Sequence, residues 1–306
     1  MIEVFFKSIR DSSFKSIKEF KPGSWIHISD ATKEDLNQIK KFINLDYEDL
    51  RDSLDIYEIP RIEQDQENIL IYTRHPSELE QGLYTSTLTI ILTSAFVVTI
   101  CPHKSEVINN ILSSNMPIAT TQKSKLLFSI LLKITQDYTS NIKKVRYAVI
   151  EQEKEMVNID SDAIVILTKN EEILNQFLTS LVPMRNLLEA ISSGRFVKLY
   201  EKDYDLLQDL SIAIKQSEDL CRVNVKSIRS LRDSYQILFT NDVNKTIKRL
   251  TAITIIFTIP TIISSVYGMN VELPLEKDPF AFLIIINFVI ILSLISVLVF
   301  IRKKWL

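Results

Sequence analysis

The sequence predicts an α/β domain at the N-terminus, followed by a long stalk helix and a two-span transmembrane helical hairpin. Three observations carry this prediction. Short β-rich runs alternate with helical stretches only as far as about residue 114. From about Tyr204 a helical pattern runs without a strong breaker to Pro260, well beyond the usual helix length. Leu250–Val266 and Phe280–Ile301 carry no charged side chain, and each has the roughly 17 to 25 residues that cross about 30 Å of hydrocarbon. With 306 residues, 46% of them hydrophobic, the chain can also build a sizeable soluble core.

The opening stretch MIEVFFKSIRDSSFKSIKEF scatters Glu3 and several cations where a cleavable leader needs an unbroken apolar run, so no signal peptide is expected. Within 1–114 the runs SWIHIS, NILIYTR and TLTIILTSAFVVTIC read as strands. The last of them, Thr87–Cys101, is tempting as a span. It is short, rich in Thr, Val and Ile, and interrupted by Ser94, which suits strands of a buried sheet better. TKEDLNQIKKFI and DYEDLRDSL read as helices with N-caps at Thr32 and Asp46. Residues 115–203 form helical arms linked by the acidic NIDSDA, and 204–249 form the stalk. The first span is 250–268, an external loop 269–279, the second span 280–301 and a basic tail 302–306.

The flanks set an expected orientation. Lys245, Lys248 and Arg249 precede the first span and Arg302, Lys303 and Lys304 follow the second. The loop between them holds Glu272, Glu276 and Asp278 against a lone Lys277. The positive-inside rule places both termini and the large N-terminal part in the cytoplasm, in a plasma or inner membrane.

Other function classes find little support. A formal net charge of -2 argues against a nucleic-acid partner. With only four glycines and no GxxxxGK[ST] or GxGxxG, a phosphate cradle and an ATP-driven pump are disfavoured. No Ser-His-Asp or Cys-His arrangement has supporting context, so no enzyme and no organic cofactor are expected. Cys101 and Cys221 lie far apart and form no CxxC pair. Cys101 and His103, in CPH, offer two ligands to a soft metal, but two ligands without spaced partners rarely make a site; they read as a packed thiol and a surface histidine. His27 and His75 have no recognisable partners in the sequence. EQEKEMVNIDSD reads either as a diffuse cation binder or as a solvated helix end.

One face of the long helix can be followed into the first span: Asp233, Ile237, Thr240, Asn244, Ile247, Thr251, Thr254, Thr258, Thr261 and Ser265. Its steps alternate four and three, the spacing of copies of one helix around a common axis. Inside the span this face is almost entirely hydroxyl. Such a stripe gains nothing from lipid, so it faces water or another helix, and both readings stand on the sequence alone. Thr and Ser also bond back to the preceding turn. Pro260 reads as a kink, with Thr258 and Thr261 near the carbonyls it leaves bare.

Tyr267-Gly268-Met269-Asn270 follows this proline-interrupted span and precedes the acidic loop and the second span, which ends in RKKWL. In that setting the string resembles the signature of the CorA family of divalent-cation transporters, and Asn244, Lys248, Leu250, Thr251 and Pro260 fit the stretch leading to it. The resemblance implies a homopentameric funnel with the first spans lining the pore and the second spans outside. Asn270 would ring the external mouth. Mg²⁺ gives up its water reluctantly, and an amide oxygen can accept hydrogen bonds from its hydration shell without gripping the ion. Gly268 is expected to allow a backbone conformation that turns Asn270 toward the axis.

On this resemblance Ile247 and Leu250 form an apolar constriction that gates by dewetting or simply packs. Asn244 adds a polar ring and Asp233 an acidic ring further along, while Glu272, Glu276 and Asp278 enrich cations outside. The family senses cytosolic Mg²⁺ between subunits. Asp209 matches one such aspartate and Glu106 is a loose partner, although LQDLSIAIK around Asp209 departs from the family pattern. The expected function is passive uptake of hydrated Mg²⁺, with Co²⁺ or Ni²⁺ as further cargo. The alternatives are a zinc transporter of the same fold and a membrane-anchored scaffold or signalling protein.

Overall fold

The computed structural model describes residues 1–306 except 80, 81, 115, 156–160, 272, 276 and 277. The elements in chain order are β1 (Ile2–Phe6), β2 (Lys15–Ile17), β3 (Trp25–Ile28), α1 (Lys33–Ile43), α2 (Tyr47–Arg51), β4 (Arg61–Asp65), β5 (Asn68–Leu79), β6 (Gly82–Leu92), β7 (Val97–Ile100), α3 (Glu106–Ser113), α4 (Lys123–Glu155), α5 (Ser161–Ser192), α6 (Glu201–Tyr267) and α7 (Ala281–Arg302). They form two units. The first is Met1–Val157 with Val165–Leu231, and the second is Asn158–Ile164 with Arg232–Leu306.

In the first unit the strands make one mixed sheet in the order β2-β1-β3-β7-β6-β5-β4. Only β3 and β7 run parallel among the described pairings; the others are antiparallel. Alternation along the strands gives the sheet two faces. Val4, Ile26, Ile28, Leu70, Tyr72, Ile91, Val98 and Ile100 pack with Leu36, Ile39, Ile43 and Leu50 of α1 and α2 in one buried cluster. Ser94 lies in the turn between β6 and β7, where the Thr93 hydroxyl accepts the Phe96 N–H at 2.8 Å and the Ala95 N–H at 3.2 Å. The apolar run Thr87–Cys101 is thus strand, turn and strand.

The helix starts follow local chemistry. Thr32 Oγ1 accepts the Asp35 N–H at 3.2 Å while the Asp35 carboxylate accepts the Thr32 N–H at 3.1 Å, a reciprocal box before α1. Before α2 the Asp49 carboxylate accepts the Asp46 N–H at 3.0 Å.

On the opposite sheet face, Trp25 Nε1–H donates to Thr99 Oγ1 at 2.9 Å, and His27 Nδ1 lies 2.9 Å from the same oxygen. Both histidines absent from any sequence motif are core residues, His27 being 2% and His75 1% exposed. Burial pushes each down to about 4, so each imidazole is neutral near neutral pH.

Helix α4 packs on β5 and meets α5 through Tyr138 and Phe177, whose rings stand edge to face at 5.2 Å. The first part of α6 buries Asp203, Leu207, Leu210, Ile214, Ser217, Cys221, Asn224 and Ile228. These alternate by fours and threes, the rhythm of a left-handed helical seam. Polar links join the helices across it: Thr139 to Ser217 at 2.6 Å, Arg146 to Asn224 at 3.2 Å and Arg229 to Glu171 at 2.8 Å.

The second unit contains the remainder of α6 and all of α7. Both helices are long and apolar enough to cross a membrane, and only 6% of each apolar window is buried.

Candidate functional site

The hydroxyl stripe of α6 is exposed along its length in the single chain: Thr251, Thr254, Thr258, Thr261 and Ser265 are all open. A different set, Ala252, Ile256, Ile259 and Ile263, is buried or half-buried. At 3.6 residues per turn the two sets lie roughly 150° apart. On α7 the half-buried residues Ala281, Ile285, Val289, Ser293, Ser296 and Phe300 also fall on one side. The hydroxyls therefore sit on the side of α6 that the chain leaves uncovered. Within the single chain no partner covers the stripe, and both readings, water or a helix of another copy, stay open.

Each threonine hydroxyl is spoken for as a donor. Thr251 donates to the Ile247 carbonyl at 2.8 Å, Thr254 to Leu250 at 2.9 Å, Thr258 to Thr254 at 2.7 Å and Thr261 to Phe257 at 2.8 Å. A hydroxyl has one hydrogen and two lone pairs. With the hydrogen spent, the four threonines present acceptors only, and water bound to a cation points its hydrogens outward. Pro260 leaves the Ile256 carbonyl without a helical donor, and neither Thr258 nor Thr261 serves it; they bond one turn back on their own account.

Ile247 and Leu250 are large apolar side chains, 54% and 66% exposed in the single chain. Asn244 is exposed, one turn before the basic pair Lys248 and Arg249. Asp233 is exposed as well, but Arg232 donates to it at 3.1 Å. The sequence alone did not single out Arg232, since a neighbour in sequence points elsewhere on an ideal helix and only its long side chain brings it back.

At the other end, α6 stops at Tyr267. The Gly268 N–H is shared between the Ser264 and Ser265 carbonyls at 2.9 and 3.3 Å, and Met269 N–H reaches the Val266 carbonyl at 3.2 Å. Gly268 does not take a positive φ. The expected conformational reason for this glycine is replaced by a spatial one: a Cβ would stand 3.3 Å from the Ser264 carbonyl oxygen. Asn270 follows two residues later, exposed, with no hydrogen bond to any described residue. Tyr267 and Met269 are 38% and 57% exposed. Asp278 accepts the Phe280 N–H at 2.8 Å and so shapes the entry to α7. Glu272 and Glu276 lie outside the described residues.

In the first unit, Asp209 is exposed on α6 outside its buried seam. Glu106 is exposed in the first turn of α3, where a carboxylate suits the helix N-terminus. No hydrogen bond or ion pair joins the two within the chain. Glu106 borders a cleft of about 310 Å³ with Asp30, His75, Glu78, His103 and Lys104. Among the described residues no three His, Cys, Asp or Glu side chains converge as a metal site. Cys101 is fully buried and burial pushes its thiol far up, which leaves a packed thiol. His103 is half-buried and borders the same cleft.

Residues 21–303 match a family model described as CorA-like Mg²⁺ transporter protein. The cobalt/magnesium transport protein CorA of Methanocaldococcus jannaschii is 27% identical over 289 residues, 92% of this chain and 91% of its own. The magnesium transport protein CorA of Wolinella succinogenes is 25% identical over the full length of both chains. The complete structure of the CorA magnesium transporter from M. jannaschii superposes with a TM-score of 0.79 at 24% identity, covering 100% of this chain and 99% of that one. At that identity the structural likeness speaks for the fold.

Proposed function

The chain belongs to the CorA-like Mg²⁺ transporter family, and from that premise we propose that it conducts hydrated Mg²⁺ through a pore built from five copies of α6. The observation that carries this reading is the hydroxyl stripe, which is exposed, turned away from the covered side of the span, and whose four threonines are reduced to acceptors by their bonds to the preceding turn. Copies of that face around an axis enclose a column of oxygen acceptors matched to the outward hydrogens of a hydrated cation.

Asn270 forms the external selectivity ring, beside Tyr267, Gly268 and Met269. Its carboxamide is open, with no partner among the described residues. Further in, Ile247 and Leu250 form the narrow apolar stretch, Asn244 a polar ring and Asp233, tempered by Arg232, an acidic one. Glu272, Glu276 and Asp278 enrich cations at the outer face. Asp209 and Glu106, both exposed, are the candidate sensors of cytosolic Mg²⁺ between copies.

The chain lies in the plasma or inner membrane with both termini cytoplasmic. An interior-negative potential supplies about 4.6 kcal/mol per 100 mV for a divalent ion, so inward movement needs no chemical fuel. Co²⁺, named for the M. jannaschii relative, is a second cargo, and Ni²⁺ and Zn²⁺ are tested beside it.

The test is Mg²⁺ influx into proteoliposomes under an imposed interior-negative potential. The expected result is saturable flux in the natural sequence and its loss in Asn270→Ala at equal protein incorporation. Flux of Zn²⁺ without Mg²⁺ moves the reading to a zinc transporter. Absence of flux for every ion, from protein shown to be pentameric, overturns the pore.

A further inference from the structure

We propose that the last turn of α7 is a binding site for the headgroup of an anionic phospholipid. The inference rests on the membrane-spanning reading of α6 and α7 and not on ion conduction.

The end of α7 is built rather than frayed. Lys304 takes a left-handed φ of 56°. Its N–H reaches the Ile301 carbonyl at 3.0 Å, and the Trp305 N–H reaches back to the Phe300 carbonyl at 2.9 Å. These are the two bonds of a Schellman cap, and its customary apolar contact is present as well. The Trp305 ring stacks on Phe300 with centroids 5.5 Å apart and planes 24° from parallel. A lysine in a position that favours glycine is held there by bonds on both sides.

This cap fixes the backbone that carries three cations. Arg302, Lys303 and Lys304 are exposed, and none has an acidic partner among the described residues. Lys245, at the start of the first span, is paired with Asp242 at 2.8 Å, whereas Lys248 and Arg249 are exposed without such a partner. Two spans joined by a short connection put both basic groups at one face of the membrane. A tryptophan beside the cluster is an interfacial anchor and sets its depth at the headgroups. Cations held at that depth without partners of their own take their counter-charge from lipid phosphate. A frayed tail would attract an anionic surface only diffusely; the capped turn holds the backbone that carries the three cations beside the stacked Trp305 ring, so that they reach one headgroup together.

The experiment uses the full chain reconstituted in phosphatidylcholine and measures quenching of Trp305 fluorescence by lipids with brominated acyl chains. Trp25, the other tryptophan, is fully buried in the first unit. Brominated phosphatidylglycerol is expected to quench more strongly than brominated phosphatidylcholine at equal mole fraction. At about 1 kcal/mol for each cation, Lys304→Gln should weaken that preference about fivefold. The triple change Arg302→Gln, Lys303→Gln, Lys304→Gln should weaken it about a hundredfold. Lys303→Arg with Lys304→Arg should retain it, and soluble glycerol phosphate in excess should leave it unchanged. Equal quenching by both lipids in the natural sequence overturns the proposal. So does a preference that survives Lys304→Gln undiminished, or one displaced by glycerol phosphate, which would mark a phosphate site rather than a lipid site. The readout needs no ion flux, so a chain that moves no ion can still pass this test and a conducting chain can fail it.

Discussion

Thr258 donates its hydroxyl hydrogen to the carbonyl of Thr254 at 2.7 Å, while the hydroxyl of Thr254 itself donates to Leu250 at 2.9 Å. Each of these two threonine oxygens is therefore left with lone pairs alone. Thr258→Val keeps the branched shape and removes the acceptor. Mg²⁺ flux should fall about two- to tenfold, the worth of one net hydrogen bond, and Thr258→Ser should restore most of it. Unchanged flux in Thr258→Val proteoliposomes would remove this hydroxyl from the ion's path.

Gly268 tests a different constraint. A methyl group there meets the Ser264 carbonyl at 3.3 Å, and that oxygen also accepts the Gly268 N–H. Gly268→Ala should force a shift of a few tenths of an ångström at the helix end, displacing Asn270 and lowering flux while leaving assembly intact. Size-exclusion profiles identical to the natural protein together with reduced influx are the expected pair of results.

Glu218 is 3% exposed, with Arg222 at 2.8 Å and Arg185 at 3.2 Å. Both arginines remain partly solvated, so removing the carboxylate strands less charge than in a sealed core. Glu218→Ala should destabilise the first unit by about 1–2 kcal/mol, lowering the thermal midpoint by a few degrees. A midpoint within one degree of the natural protein would show that the pair contributes little.

The two core histidines give a pH signature. His27 and His75 titrate near 4 when folded against an ordinary value of 6.5. Between these values the unfolded chain binds more protons than the folded one, so stability must fall as pH drops from 6.5 toward 4. Each site contributes on the order of 3 kcal/mol over that interval. His27→Gln should flatten the slope of unfolding free energy against pH in this window, measured by denaturant titration at several pH values. An unaltered slope would mean that His27 is not protonated on unfolding there.

What could be read in advance followed from local chemistry. Thr32 and Asp46 mark helix starts because a cap needs only neighbours three residues away. Ser94 marks a turn because it interrupts two β-branched runs. The stripe from Thr251 to Ser265 was visible because helical periodicity is a property of spacing. By contrast, β2 and β4 carry KSI and RIEQD, sequences with no strand signal of their own that become strands by pairing with β1 and β5. Gly268 was read through its torsional freedom, whereas crowding by a carbonyl one turn away appears only when the helix is built. Which side of α6 is covered also waits for packing, and the charge on Asp233 is tempered by Arg232, whose reach no spacing rule conveys.

The parallel pairing of β3 with β7 has a consequence for how the first unit comes into being. Trp25 faces Val97 and Ile28 faces Ile100, so the ladder closes only after the whole intervening chain has been made. β2, β1 and β3 can zip together as one antiparallel group and β4 through β7 as another, each with contacts close in sequence. Joining them along β3 and β7 carries the largest loop-closure entropy in the sheet. Until that seam forms, each group has an open apolar edge, WIHI on β3 and VVTI on β7, a surface suited to mispairing with another nascent chain.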